Sequence, residues 1–134
     1  PKSRFSVVAF SEQVARFSPT LVKAKASILK KAIKFVGQLR AGGETNTYGA
    51  LEHAFADREV DTVYLLSDGS PTVGEETSAS LILHSTQIWN RYRGTRIHCI
   101  GFFAGDAPNQ DEARAREFLR DLAHRNHGRY TEIR

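Results

Sequence analysis

Two places in this sequence combine side-chain types and spacing that could do chemistry: Asp68 with the Gly69 that follows it, and Gly42-Gly43-Glu44-Thr45-Asn46-Thr47. Asp68 ends an apolar run at residues 61–67, where a carboxylate is a natural ligand for a hard cation or a catalytic acid. The hydroxyls of the second stretch precede a short helical segment, and its glycines let the backbone approach a small ion or anion closely. Carboxylate and hydroxyl oxygens together suit Mg²⁺, which takes about six oxygens in octahedral array and usually keeps several waters. Each feature also has a plain structural reading. Asp-Gly after a strand is an ordinary turn, and Thr45 can cap the helix that follows it.

Other reactive side chains have weaker cases. His124 and His127 lie three apart, but in a polar helix end where a cationic side chain also suits the helix dipole. His98 is flanked by apolar residues and reads as a satisfied core or edge histidine, while His53 and His84 have no companion ligand at metal spacing. Ser67 and Ser70 offer hydroxyl nucleophiles, yet no Gly-x-Ser-x-Gly elbow surrounds them and no histidine is placed as their base. The glycine pairs lack the Gly-x-Gly-x-x-Gly and Walker patterns that cradle phosphate. Glu75 and Glu76 read as a solvated helix start, and Cys99, inside an apolar run, as a buried structural thiol.

The elements that must position Asp68 and Thr45 follow from hydrophobic periodicity. Residues 4–10 read as a strand, and residues 13–18 as a second strand tightly joined to it, giving an antiparallel hairpin with one strand on a sheet edge. A long helix is expected to open at Ser18-Pro19-Thr20 and stop near residues 40–43, burying Ile28, Leu29, Ala32, Ile33, Phe35, Val36 and Leu39 on one face. Residues 49–56 make a short helix, and residues 61–67 a central strand covered on both faces. A helix over 77–93 turns Leu81, Ile82, Ile88, Trp89 and Tyr92 inward. A strand over 95–103, a helix over 111–123 carrying Ala115, Phe118, Leu119 and Leu122, and a final edge strand over 129–133 complete the chain. Strands alternating with amphipathic helices imply a mostly parallel sheet, and ligands of such sheets bind beyond the carboxyl ends of the strands. Asp68 stands at such an end.

Composition bounds the rest. At 134 residues, 40% hydrophobic and 25% charged, the sequence reads as one globular domain over 1–134. No apolar run approaches the roughly 20 residues of a membrane span, so membrane insertion is not expected. The net charge of +4 owes much to Lys23, Lys25, Lys30, Lys31 and Lys34. Such a basic segment can bind nucleic acid or acidic membranes, and a solvated helix face explains it as well. Without interleaved aromatics it makes no base-stacking surface, and no nucleic-acid partner is expected.

Five landmarks resemble the von Willebrand factor A family. Residues 42–51 (GGETNTYGAL) look like its glycine–threonine–asparagine loop leading into a helix, and residues 61–72 (DTVYLLSDGSPT) like its strand ending in Asp-Gly. Residues 4–11 (RFSVVAFS) are similar to its strand ending in Phe-Ser, and residues 96–101 (RIHCIG) to a later strand. Gly128-Arg129-Tyr130 matches the entry to its last strand. The landmarks arrive in the family's order over essentially the whole chain.

The resemblance implies a Rossmann-like α/β fold: an open, mostly parallel sheet with helices on both faces and one antiparallel edge strand. It implies a metal-ion-dependent adhesion site, with Thr45 and Asp68 as ligands of Mg²⁺, or of Mn²⁺ or Ca²⁺ in its place. The family's first loop, Asp-x-Ser-x-Ser, has no counterpart in this sequence. The expectation is therefore a partial domain without the first central strand, which would lie between strands 4–10 and 61–67. Metal binding by the chain as it stands is then weak or absent, and the unpaired sheet edges invite self-association. Glu44, inserted in the glycine–threonine loop, is a smaller departure. The implied function is a non-enzymatic module that engages an Asp or Glu side chain of a protein partner through the cation. The alternatives are a metal-dependent hydrolase or phosphoryl-transfer enzyme using Asp68, for which no second carboxylate or base is identifiable, and a metal-free interaction domain.

Overall fold

The apolar runs that read as buried strands pair with one another. A computed structural model, describing residues 2–40, 42–103 and 109–133, contains seven strands and four helices among those residues. In chain order they are β1 (Arg4–Phe5), β2 (Val8–Phe10), β3 (Val14–Arg16), β4 (Val22–Lys23), α1 (Ala26–Gly37), α2 (Thr47–Ala56), β5 (Thr62–Ser67), α3 (Ala79–Asn90), β6 (Arg96–Phe102), α4 (Gln110–Arg125) and β7 (Tyr130–Ile133). The parallel sheet runs β5-β6-β7, with Leu65 opposite Cys99 and Cys99 opposite Tyr130. This is an α/β, Rossmann-like arrangement.

Alternation along the strands decides where the core lies. Leu65, Ile97 and Cys99 point to one face and pack with Leu51 and Phe55 of α2, Ile82 and Leu83 of α3, and Phe118, Leu119 and Leu122 of α4. Burying each such aliphatic side chain contributes about 1.5–3 kcal/mol. Residues of the opposite face stay open: Tyr64 is 66% and Leu66 49% exposed. The expected cover on both faces of residues 61–67 is thus not seen among the described residues.

The N-terminal third departs most from the sequence reading. Residues 4–10 split at Ser6-Val7 into β1 and β2. β2 pairs antiparallel with β3, as the hairpin reading requires, while β1 pairs antiparallel with β4, Phe5 opposite Val22. That pairing draws residues 22–23 out of the expected helix, so α1 starts at Ala26 behind Lys25, which gives no side-chain cap. Neither Ser18 nor Thr20 caps it. α1 ends at Gly37, a poor helix former, and not near residues 40–43. Its stripe is mostly open: Ala32 is buried, Ile28 and Phe35 are half-buried, and Leu29, Ile33, Val36 and Leu39 are exposed. Phe35 anchors α1 by contact with Phe17, which itself stacks on Phe5.

The inward face of α3 also differs. Ile82 is buried and Trp89 half-buried, but Leu81, Ile88 and Tyr92 are exposed, and Leu83 and Thr86 take the buried positions. Trp89 meets the rings of Tyr48 and Phe55, so it locks α3 against α2. On α4 all four expected residues, Ala115, Phe118, Leu119 and Leu122, are buried.

A buried amide relay ties the helix ends to β6. Asn90 donates through Nδ2 to the Thr95 carbonyl at 2.8 Å and to Asn126 Oδ1 at 3.0 Å. Its Oδ1 accepts the Thr95 N–H at 2.8 Å. Asn126 donates to the Leu122 carbonyl, and its own carbonyl accepts the Ile97 N–H. Buried polar groups persist because each finds such partners.

Among the described residues β2 pairs only with β3, and β5 only with β6, so each keeps an unpaired edge. A groove of about 1160 Å³ lies between these edges, lined by Phe5 and Val8 on one side, Val63 and Leu65 on the other, and Ala50 and Ala54 of α2.

Candidate functional site

Three loops converge at the carboxyl end of β5. The first follows β2 at Ser11, the second is the Gly42–Asn46 stretch before α2, and the third runs from Asp68 to Gly74. Backbone bonds join them: the Asn46 N–H donates to the Ser11 carbonyl at 2.9 Å, and the Thr72 N–H to the Thr45 carbonyl at 2.9 Å. The Thr45 N–H donates to Thr72 Oγ1 at 2.8 Å. Gly74, at φ +113°, brings its backbone against Asn46, and a Cβ there would lie 2.2 Å from Asn46 Oδ1. Glycine is required at that position on both counts.

Asn46 caps α2, its Oδ1 accepting the Gly49 N–H at 2.9 Å. Thr45 therefore does not cap the helix. Its backbone is spent on Thr72 and Val73, leaving its hydroxyl without a protein partner among the described residues. Gly69 sits beside it, with a Cβ there 3.9 Å from Thr45 Oγ1. The turn after β5 is held by buried Ser67, whose Oγ accepts the Gly69 N–H at 3.3 Å and donates to the Gly69 carbonyl at 3.1 Å. Asp68 is exposed, and its carboxylate has no hydrogen bond or ion pair among the described residues.

Thr45 and Asp68 line one cavity of about 450 Å³, together with Ser11, Gly42, Glu44 and Ser67. Its carboxylate and hydroxyl oxygens share the wall with the Gln13 amide and the Arg40 guanidinium. Among the described residues no three His, Cys, Asp or Glu side chains converge anywhere, so a many-liganded chelate is not built there. One carboxylate and one hydroxyl with waters is a set that Mg²⁺ accepts, because Mg²⁺ dehydrates reluctantly. The donor chemistry fits the ion.

Sequence reasoning missed three contributors. Ser11 lines the cavity and bonds the second loop, Asn46 caps α2, and Thr72 holds Thr45. The signal for Asn46 was present, since asparagine before a helical run is a favoured cap. Nothing local marks Ser11 or Thr72, whose roles are hydrogen bonds to the backbone of distant segments.

Two of the other candidates have structural surroundings that explain them. His98 Nδ1 accepts the Arg129 N–H at 3.1 Å, and its ring stacks on Tyr64. Cys99 is fully buried, and burial pushes its thiol up to about 12.

Comparison with known proteins gives a consistent picture. The family model for the von Willebrand factor type A domain matches residues 1–132. Von Willebrand factor A domain-containing protein 3A of Homo sapiens is 33% identical over 126 residues, covering 94% of this chain and 10% of that protein. Protein 3B of the same name and species is 30% identical over 122 residues, covering 91% and 8%. Inter-alpha-trypsin inhibitor heavy chain H4 of Homo sapiens is 30% identical over 115 residues, covering 76% and 12%. The chain thus spans about a tenth of the length of these curated relatives.

Proposed function

The chain belongs to the von Willebrand factor type A domain family, whose members are generally protein-interaction modules, and from that premise we propose a cation-assisted, non-enzymatic protein-binding site at Thr45 and Asp68. The observation that carries this reading is that both line one cavity and that neither side chain has a hydrogen-bond or ion-pair partner among the described residues. Mg²⁺ held there would supply a Lewis-acidic position for a carboxylate of the partner. The Asp68 carboxylate would neutralise part of its charge, and the Thr45 hydroxyl would add a neutral oxygen. Two protein oxygens leave the ion net positive, which favours an acidic side chain as the incoming ligand.

The same reading gives the groove between β2 and β5 a role. We propose that it takes one extended strand, satisfying both unpaired edges, and that an Asp-x-Ser-x-Ser segment at that strand's end completes the ligand set. Without it, an exposed edge is a template for pairing with another copy. Hydrolase chemistry at Asp68 would need a general base as well, and among the described residues lining the cavity Glu44 carries the other carboxylate, with no histidine beside it.

Titration calorimetry tests the proposal. Mg²⁺ should bind the chain weakly, and at least tenfold more tightly when a peptide carrying Asp-x-Ser-x-Ser is added. Asp68→Ala should remove both heats. Equal Mg²⁺ binding with and without Asp68 would reject the site.

A further inference from the structure

We propose that α1 is a peripheral docking helix for anionic lipid surfaces. Between Glu12 and Glu44 the chain carries Arg16, Lys23, Lys25, Lys30, Lys31, Lys34 and Arg40, and no Asp or Glu. The rest of the chain is net acidic, although the whole is +4, so positive charge is concentrated on this one segment. All five lysines are exposed, and none forms an ion pair among the described residues.

α1 also has two apolar stripes where a surface helix needs one. The inner stripe, Ile28, Ala32 and Phe35, meets the protein. The outer stripe, Leu29, Ile33 and Val36, repeats at i, i+4, i+7 and is 41%, 71% and 49% exposed. At 100° per residue, this outer stripe lies beside the arc occupied by Lys30, Lys34 and Lys31. An exposed aliphatic ridge flanked by lysines on a short helix is the arrangement that lies in the plane of a membrane interface.

The geometry favours a lipid surface over a folded acidic partner. Leu29, Ile33 and Val36 stand exposed along the helix and line neither cavity described above. A fluid bilayer closes around a ridge, whereas a protein needs a matching cleft. Lysine ammonium groups are mobile point charges, suited to a diffuse anionic surface and lacking the fixed fork that reads a single carboxylate. No helix of the described residues is long and apolar enough to cross a membrane, so the contact is peripheral. It is independent of the cation site and should persist in EDTA.

Co-sedimentation with vesicles tests this, using phosphatidylcholine containing about 30% phosphatidylserine, the anionic lipid of inner leaflets, in EDTA. The chain should sediment with these vesicles and not with pure phosphatidylcholine. Binding should fall at least tenfold in Ile33→Ser/Val36→Ser, and likewise in Lys30→Gln/Lys31→Gln/Lys34→Gln. All five positions are exposed, so thermal melts should match the parent. No sedimentation with the anionic vesicles, or equal binding by either variant, would overturn the proposal. A dimer dissolved by Ile33→Ser, with vesicle binding absent, would assign the ridge to self-association instead.

Discussion

Cys99 shows how burial sets chemistry at a single residue. Its thiol lies at the centre of the sheet, and removal from water disfavours the thiolate, pushing its pKa from 9.0 to about 12. The unfolded chain therefore loses this proton near pH 9 while the folded chain keeps it, so stability falls as pH rises from about 9 to 12. Tyr130 is raised as well, by burial and then by its bond to Glu132. Cys99→Ala should flatten part of the alkaline loss in urea melts across that range. The wild-type thiol should react with Ellman's reagent only as fast as the protein opens. Thr47 makes a second prediction. Its Oγ1 is buried with no hydrogen-bond partner among the described residues, and such an orphan costs roughly 1–3 kcal/mol. Thr47→Val, of the same shape, should leave the urea midpoint unchanged or raise it; a clear loss would show that the hydroxyl has a partner. At this scale the sequence was readable where a side chain acts locally. Asp68 after an apolar run and Thr45 after paired glycines announce themselves, whereas Ser11 and Thr72 act through hydrogen bonds to backbone groups far away in the sequence.

Secondary structure was readable where periodicity and burial agree. On α4 the apolar positions form a single stripe and all four are buried. On α1 and α3 the apolar residues cover more than one face, and periodicity cannot say which stripe the fold uses. The split of β1 from β2 was not legible either, because the partner of β1 is β4, a two-residue strand inside a segment of helical composition. Gly128 and Asn126 give a paired test of how α4 delivers the chain to β7. A Cβ at Gly128 would lie 1.6 Å from the Ile97 carbonyl oxygen, so no side chain fits without moving β6. Gly128→Ala should cost at least about 2 kcal/mol, as overpacking against backbone does. Asn126→Ala leaves the Asn90 amide and the relay incomplete and should cost roughly 1–3 kcal/mol. Urea midpoints for the two variants check both values.

For the whole molecule, α2 is the organising element. It packs Leu51 and Phe55 into the core, lines the groove between β2 and β5, and starts from the loop that carries Thr45. That one helix sets the cavity's position relative to the sheet. The family and the α/β class were legible from five ordered landmarks, and the matched span of residues 1–132 agrees with them. The open sheet face was not legible, because strand runs look alike whether one face or two are covered. The Mg²⁺ reading unites these features, and paramagnetic Mn²⁺, standing in for Mg²⁺, tests it most directly because line broadening reports even weak, local binding. Backbone amide signals of Ser11, Thr45 and Gly69 should broaden first, those of α4 and β7 should stay sharp, and Asp68→Ala should abolish the effect. Broadening scattered over other surface carboxylates, or an unchanged pattern in Asp68→Ala, would contradict the account.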